Sequence, residues 1–318
     1  MTAGTPFVSV IMPLYNKRPY VLRSIESVRN QTWPDWELII VDDGSSDGSP
    51  DMVPRGDARI KLMSQPNRGP AAARNRAVRA ASGDYLAFID ADDCYYPFKL
   101  EHEMGLLWKG RKAEWMMSAY DYRLNGKTTR HYIKDINGTE INRETGVFED
   151  ALGELTVSGW PSDGLFMRKA LFERLAGFDE GMRYGEITEL ILRCAVREPR
   201  VLICHLPLYL HIDVPGSTAK ARLYKEKYFL RMGQSLYRLG KKHPRHAGLL
   251  MERSRANMAA YCASLILGGR RSEARRFLRE EFPFGRDIGY WKLWAASRLP
   301  SELLAGLMKA AKLFVFAF

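Results

Sequence analysis

Tyr85-Leu86-Ala87-Phe88-Ile89, followed at once by Asp90-Ala91-Asp92-Asp93, is the stretch on which the reading of this chain turns. Five aromatic and aliphatic residues after Gly83 predict a short buried strand. Three carboxylates at its tip repel one another and lose hydration unless a cation neutralises them. Mg²⁺ and Mn²⁺ favour such oxygen ligands and keep their remaining positions for water or phosphate. A lone D-x-D triplet is short enough to be only an acidic turn capping the next helix, so the rest of the N-terminal third decides.

Upstream, Phe7-Val8-Ser9-Val10-Ile11-Met12 predicts a strand that stops at Pro13, followed by Leu14-Tyr15-Asn16. Tyr20 to Gln31 carries Val21, Leu22, Ile25 and Val28 at helical spacing. Trp36 to Val41 predicts a second strand ending in Asp42-Asp43-Gly44-Ser45-Ser46-Asp47, and Ile60 to Met63 a third leading to Asn67-Arg68-Gly69-Pro70. Ala71 to Ala81 is strongly helical. Strands alternating with helices imply an α/β, doubly wound and mostly parallel sheet. Ligands bind such sheets beyond the carboxyl ends of the strands. The polar loops after successive strands therefore converge on one edge, which outlines a nucleotide-plus-metal site.

Val-Ser-Val-Ile-Met-Pro-Leu-Tyr-Asn (8–16), Val-Asp-Asp-Gly-Ser-Ser-Asp (41–47), Asn-Arg-Gly-Pro-Ala-Ala-Ala-Arg-Asn (67–75) and Asp-Ala-Asp-Asp (90–93) come in a particular order and spacing. In both respects the chain resembles the family 2 glycosyltransferases with the GT-A fold, closely over about residues 7–100 and more weakly to about 218. The resemblance implies that Pro13, Tyr15 and Asp43 line the base pocket, with Arg68 and Arg74 as base or phosphate contacts. Each arginine is equally well read as a solvated cation. It further implies that Asp90 contacts the donor and that Asp92 and Asp93 hold the Mn²⁺ or Mg²⁺ bridging its diphosphate. An aspartate in a base pocket accepts a hydrogen bond from a uracil or guanine ring N–H, which favours a UDP carrier.

The middle segment carries an anomaly. Ser158-Gly159-Trp160 and Gly164 to Arg168 are similar to the family strand leading into Leu175-Ala176-Gly177-Phe178-Asp179-Glu180. Where the family then shows an acidic pair opening a helix, this chain reads Gly185-Glu186-Ile187-Thr188-Glu189-Leu190-Ile191-Leu192-Arg193. The catalytic aspartate position falls on Ile187, which cannot accept a proton. Glu186 or Glu189 takes over, or transfer is lost; Glu189 is three residues on, so one helix face could present both. Further along, His211 and Asp213 stand on a strand that more often carries Arg and His, with His211 either a phosphate contact or a structural histidine.

Other α/β readings fail on their motifs. No G-x-G-x-x-G opens a helix after a strand, and no G-x-x-x-x-G-K-[ST] occurs. Cys94, Cys194, Cys204 and Cys262 are scattered, without zinc spacing, and read as small buried residues of a reducing compartment. The N-terminus has no basic segment before an apolar core, which argues against a signal peptide and for the cytoplasm. Met258 to Leu267, the longest nearly apolar stretch, is too short to span a bilayer.

Charge steps sharply near Thr218. Residues 1–218 hold 27 Lys+Arg against 30 Asp+Glu, and residues 219–318 hold 21 against 7, a net of −3 beside +14. The step predicts a catalytic domain over 1–218 and a basic helical domain over 219–318. There Tyr224, Tyr228, Met232, Leu236 and Leu239 form a helical stripe, Met251 to Leu267 a second helix ended by Gly268-Gly269, and Ser272 caps a third through Phe282. Tyr290, Trp291, Lys292, Trp294, Arg298, Lys309, Lys312 and the terminal Leu313 to Phe318 combine basic and aromatic residues. Such helices lie on an anionic membrane surface, here the inner face of the plasma membrane, or else pack on the catalytic domain or a second subunit of a homodimer. No nucleic-acid motif accompanies the positive charge.

The expectation is an inverting, metal-dependent transfer of a sugar from a nucleotide-sugar donor to an acceptor hydroxyl on a polysaccharide or lipid-linked glycan. Ile187 supports an alternative, a non-catalytic nucleotide-sugar-binding or scaffold protein. A nucleotidyltransferase, which would release pyrophosphate, shares the same layered logic.

Overall fold

The structure is a computed structural model and describes residues 7–109, 113–131, 145–152, 162–214, 222–285 and 288–299. Ser158-Gly159-Trp160, the Thr218 boundary and the terminal run from Lys309 to Phe318 lie outside the described residues, as do the side chains of Tyr224 and Trp291. The chain divides into two compact units, Met1–Ser217 and Thr218–Phe318.

The first unit is built on one sheet. Its strands are β1 (Val8–Leu14), β2 (Trp36–Asp42), β3 (Ile60–Ser64), β4 (Tyr85–Phe88), β5 (Cys94–Tyr95), β6 (Trp115–Leu124), β7 (Lys127–His131), β8 (Gly146–Phe148), β9 (Leu165–Arg168) and β10 (Val201–Ile212). They lie in the order β3-β2-β1-β4-β9-β6-β10-β5, with β7 beside β6 and β8 beside β10. The pairs β1–β2, β2–β3, β1–β4 and β6–β10 are parallel, and β9 runs antiparallel between β4 and β6. The sheet is thus mixed and mostly parallel. β1, β2, β4, β6 and β10 all end at the same edge.

Burial explains the unbroken apolar runs. β1, β2 and β4 are buried almost throughout, as expected of strands covered on both faces, whereas β3 at the sheet's edge is half exposed. Helices α1 (Val21–Arg29), α2 (Pro70–Arg79) and α3 (Lys99–Met104) follow β1, β3 and β5. α1 buries Val21, Ser24, Ile25 and Val28, while Leu22, expected on that face, is exposed.

β1 does not stop at Pro13 but continues to Leu14. Ile11 accepts a bond from Ile89 on the β4 side, and Leu14 accepts one from Asp43 on the β2 side. By alternation Pro13 faces β4, whose pairing has ended at Phe88, so its missing N–H leaves no ladder partner unmet. Two further helices, α4 (Lys169–Arg174) and α5 (Glu186–Arg197), lead to β10.

The second unit holds helices α6 (Arg222–Lys242), α7 (Ala247–Leu267), α8 (Arg271–Glu280) and α9 (Ile288–Ala296) around Met258, Cys262, Ile266, Phe277, Leu278 and Tyr290. Gly233 lets α6 and α7 approach closely: a Cβ there would sit 2.7 Å from Met258, and Ser254 Oγ donates to the Gly233 carbonyl at 2.6 Å. α8 begins before Ser272. Arg270 precedes its first turn and binds Glu273 through two nitrogens, so Ser272 sits inside the helix rather than capping it. Among the described residues, no helix is long and apolar enough to cross a membrane.

Candidate functional site

The loops after β1 and β2 fold onto each other. Asn16, at φ 51°, donates its N–H to Ser45 Oγ at 3.0 Å, and its side-chain oxygen accepts Ser46 N–H at 2.8 Å. Tyr15, just before it, is 46% exposed at the sheet edge. Asp43 is buried and organises the next loop: it accepts Gln65 Nε2 at 2.8 Å, Arg68 N–H at 2.8 Å and Gly69 N–H at 2.7 Å. Arg68 itself points outward and pairs with Glu180 at 2.9 Å.

Arg74 is the hinge pin of the site. It is buried on α2 and joins Asp90 at 2.5 Å to Glu186 at 2.6 Å, and also reaches Ser162 at 3.4 Å. One guanidinium therefore ties the acidic strand tip to the start of α5. Burial alone would raise the Asp90 pKa, but Arg74 outweighs it and holds the carboxyl below its ordinary value. Glu189 is spoken for as well: Arg193 binds both its oxygens, at 2.7–2.9 Å, and also the carbonyls of Leu175 and Gly177. The two glutamates thus have different arginine partners. Ile187 is only 7% exposed and packs inward.

The aspartates of the motif take different partners, and Asp92 stands outside the cluster that Asp90 and Asp93 form. Asp92 forms an ion pair with Lys17, and its carbonyl accepts Arg23 at 3.1 Å. Asp93 is fully buried, accepts Ile212 N–H at 2.7 Å and lies 2.7 Å from His211 Nδ1. His211 stacks on Tyr122, with ring centroids 5.6 Å apart. Asp163, from the turn before β9, is a residue that sequence reasoning missed. It is fully buried and accepts Asp90 N–H at 3.1 Å and Ser162 Oγ at 2.8 Å.

Ligand atoms of Asp90, Asp93 and Asp163 lie within 4.8 Å of one another. Burial, then the charges of Asp92 and Asp90, push the Asp93 pKa well above the ordinary value; burial, then Asp93 and Asp90, do the same to Asp163. Burial and Asp90 also raise Asp92 against the pull of Lys17. Asp163 Oδ2 is buried with no hydrogen-bond partner, and that orphaned oxygen beside two other carboxylates fits a hard divalent cation.

Parallel strands ending together beside an acidic tip, in a mixed sheet flanked by helices, have the layout of the GT-A glycosyltransferase fold. Residues 9–175 match the model of glycosyl transferase family 2, and the chain belongs to that family. It is 43% identical over 128 residues to the E. coli UDP-Glc:alpha-D-GlcNAc-diphosphoundecaprenol beta-1,3-glucosyltransferase WfgD, covering 40% of this chain and 50% of that one. The chain spans about half the length of such curated relatives. Among solved structures, it is similar to S. aureus TarS 1-349 in complex with UDP-GlcNAc, with TM-score 0.65 and 18% identity over 92% of this chain and 79% of that one. Mannosyltransferase PcManGT from Pyrobaculum calidifontis, in complex with GDP-Man and Mn²⁺, gives TM-score 0.55 at 18% identity, covering 98% and 82%. Both structural likenesses are of fold.

Proposed function

We propose that this glycosyltransferase moves a sugar from a UDP-linked donor to a hydroxyl of a glycan or lipid-linked acceptor, with inversion. The observation that carries the proposal is Arg74, which places the acidic tip of β4 and the first residue of α5 in one hydrogen-bonded unit. Donor and acceptor chemistry would then meet at a fixed distance. Pro13, Tyr15 and Asp43 line the base pocket, where Asp43 first shapes the loop that closes it, and Arg68 stands at its rim. WfgD's UDP-Glc donor and the UDP-GlcNAc bound to TarS support the carrier; WfgD's diphosphoundecaprenol acceptor supports a lipid-linked one.

Asp92 and Asp93, with Asp90 and Asp163 beside them, would hold Mn²⁺ or Mg²⁺, which when bound offsets charge on the leaving diphosphate. Glu186 serves as the base that takes the acceptor proton. Arg74 holds its Oε1 and so orients the carboxylate. Direct displacement by the acceptor oxygen inverts the anomeric centre. Glu189, bound at both oxygens by Arg193, supports α5 from behind.

Residues 219–318 serve as a basic platform for an anionic membrane surface, each Lys or Arg near it contributing about 1 kcal/mol. Deleting residues 287–318 then releases the protein from anionic vesicles at low salt without loss of donor binding. A full-length protein that ignores such vesicles makes the unit a packing or dimer element.

The test of the main reading is a thermal-shift screen of nucleotide sugars with and without Mn²⁺, since a ligand of the folded state raises its melting point. A UDP-sugar is expected to give the largest shift, and no shift with any nucleotide sugar rejects the reading. Buried Ile187 at the family's base position favours a second reading, a binding protein without transfer. Donor binding with no release of nucleoside diphosphate in the presence of acceptor glycans would select it.

A further inference from the structure

We propose that Lys17 is a built-in stand-in for the divalent cation, and that the cation displaces its ammonium group from Asp92 onto the donor's diphosphate. The inference rests on the nucleotide-sugar reading above and assigns a donor contact to the β1–α1 loop.

Lys17 follows Asn16 at the carboxyl end of β1. Its backbone is pinned: the N–H donates to Ser49 Oγ at 2.7 Å, and the carbonyl accepts the N–H groups of Tyr20 at 2.9 Å and Val21 at 3.0 Å. Only the side chain is free to travel. Its ammonium lies against Asp92, both side chains largely buried. Neighbouring Arg18 is committed to the loop after β2, through its N–H to Asp47 Oδ2 at 2.9 Å and its guanidinium to the Asp47 carbonyl at 3.3 Å. The Asp92 backbone is held independently by Arg23, so withdrawal of Lys17 leaves the acidic loop in place.

Charge then dictates the exchange. The carboxylates of Asp90, Asp93 and Asp163 already crowd one another; Arg74 is the cationic partner of Asp90, and His211 Nδ1 lies 2.7 Å from Asp93. With Asp92 as a further ligand, as proposed above, a doubly charged ion beside this group would compete with the Lys17 ammonium for that carboxylate, and the two cations repel through a partly desolvated medium. A lysine is a compact charge on a flexible four-carbon stem, so it moves where a guanidinium fork would stay. The diphosphate that arrives with the donor is the new anion within reach of a side chain anchored beside the nucleotide loops. One residue thereby quenches Asp92 before the donor binds and clamps the leaving group afterwards.

The experiment compares the full-length wild type with Lys17→Met and Lys17→Arg by two binding measurements that need no turnover. Free Mn²⁺ is titrated by its electron spin resonance signal, and UDP affinity in EDTA is read by calorimetry. Lys17→Met is expected to bind Mn²⁺ about tenfold more tightly, because Asp92 loses its competitor, and to bind UDP about tenfold more weakly in EDTA. Its melting point is expected to fall in EDTA and recover with Mn²⁺, which also shows that it folds. Lys17→Arg is expected to keep UDP affinity within about threefold and to resist displacement by Mn²⁺. Mn²⁺ affinity in Lys17→Met equal to wild type overturns the exchange, and unchanged UDP affinity overturns the diphosphate contact. A wild type that binds no UDP defeats the donor reading instead; the Mn²⁺ arm still decides the competition for Asp92.

Discussion

Buried acidic groups at opposite edges of the same sheet are treated in opposite ways. At the amino end, Glu37 of β2 accepts Ser9 Oγ at 2.6 Å, Ser82 N–H and Oγ at 2.7 and 2.6 Å, and Lys61 at 2.7 Å. Burial would raise its pKa, but bonds from Lys61, Ser82 and Ser9 outweigh it and bring it down to about 2. At the carboxyl edge, Asp93 and Asp163 are equally buried but lie beside other carboxylates, and burial with those charges raises their pKa values well above the usual range. Glu37 is surrounded by donors, whereas Asp93 and Asp163 crowd other carboxylates, the pattern expected of acids proposed to await a cation.

The sharpest way to break this contrast is at the acidic tip. Asp92→Ala or Asp93→Asn is expected to abolish Mn²⁺-dependent donor binding. Yet Asp93→Asn should raise the melting point of the cation-free protein, since a neutral amide keeps the Ile212 bond and ends the repulsion. Calorimetric melting in EDTA beside Mn²⁺ titration reads both, and a variant that keeps Mn²⁺-stimulated transfer refutes the assignment. Next in size, Glu186→Gln is expected to keep donor affinity and lose roughly 10²- to 10⁴-fold in transfer rate. Parent-like turnover would remove Glu186 from the mechanism, and a rate gain in Ile187→Asp would mark the natural chain as a weakened transferase.

The other end of the sheet should behave inversely. Glu37→Gln is expected to cost on the order of 2–3 kcal/mol of stability, read by urea unfolding, while the folded variant keeps its donor affinity. A loss of donor affinity without a loss of stability would erase the distinction. The smallest effect is a pH signature of opposite sign. Glu37 has a depressed folded-state pKa, so its stabilisation is full above about 4.5 and fades as pH falls toward about 2. Asp93 and Asp163 have raised folded-state values, so the cation-free protein loses stability as pH climbs from about 3.8 through those values. The melting-point gap between wild type and Asp93→Asn in EDTA should widen as pH rises above about 3.8 and close with saturating Mn²⁺.

The donor half was legible because each of its polar loops follows directly on an apolar run, as with Val41 before Asp42 and Ile89 before Asp90. Asp163 was not, because nothing local distinguishes it. It reaches the site only because β9 inserts between β4 and β6, a pairing of residues about 80 apart in the chain that no periodicity encodes. Lys17 likewise reads as an ordinary loop cation until Asp92 is seen opposite it. Glu186 and Glu189 share the start of α5 as the spacing suggested, but each has a different arginine, since spacing on a helix says nothing about which cation claims each member. Helix starts fared similarly: Ser272 has the right chemistry for a cap, but Arg270 and Glu273 set the boundary of α8.

Strand β9 also imposes an order on synthesis. The ribosome delivers β4 and β6 well before Leu165–Arg168, the segment that hydrogen-bonds to both. Roughly 40 residues separate the end of β6 from β9, and at about 5–20 residues per second the interval lasts about 2 to 8 seconds. During it, the edge of β4 and the β6–β7 hairpin are both without the partner strand, the condition under which nascent chains stick to one another. The arrival of four residues joins β4 to β6, and a chain released before them would present two open edges.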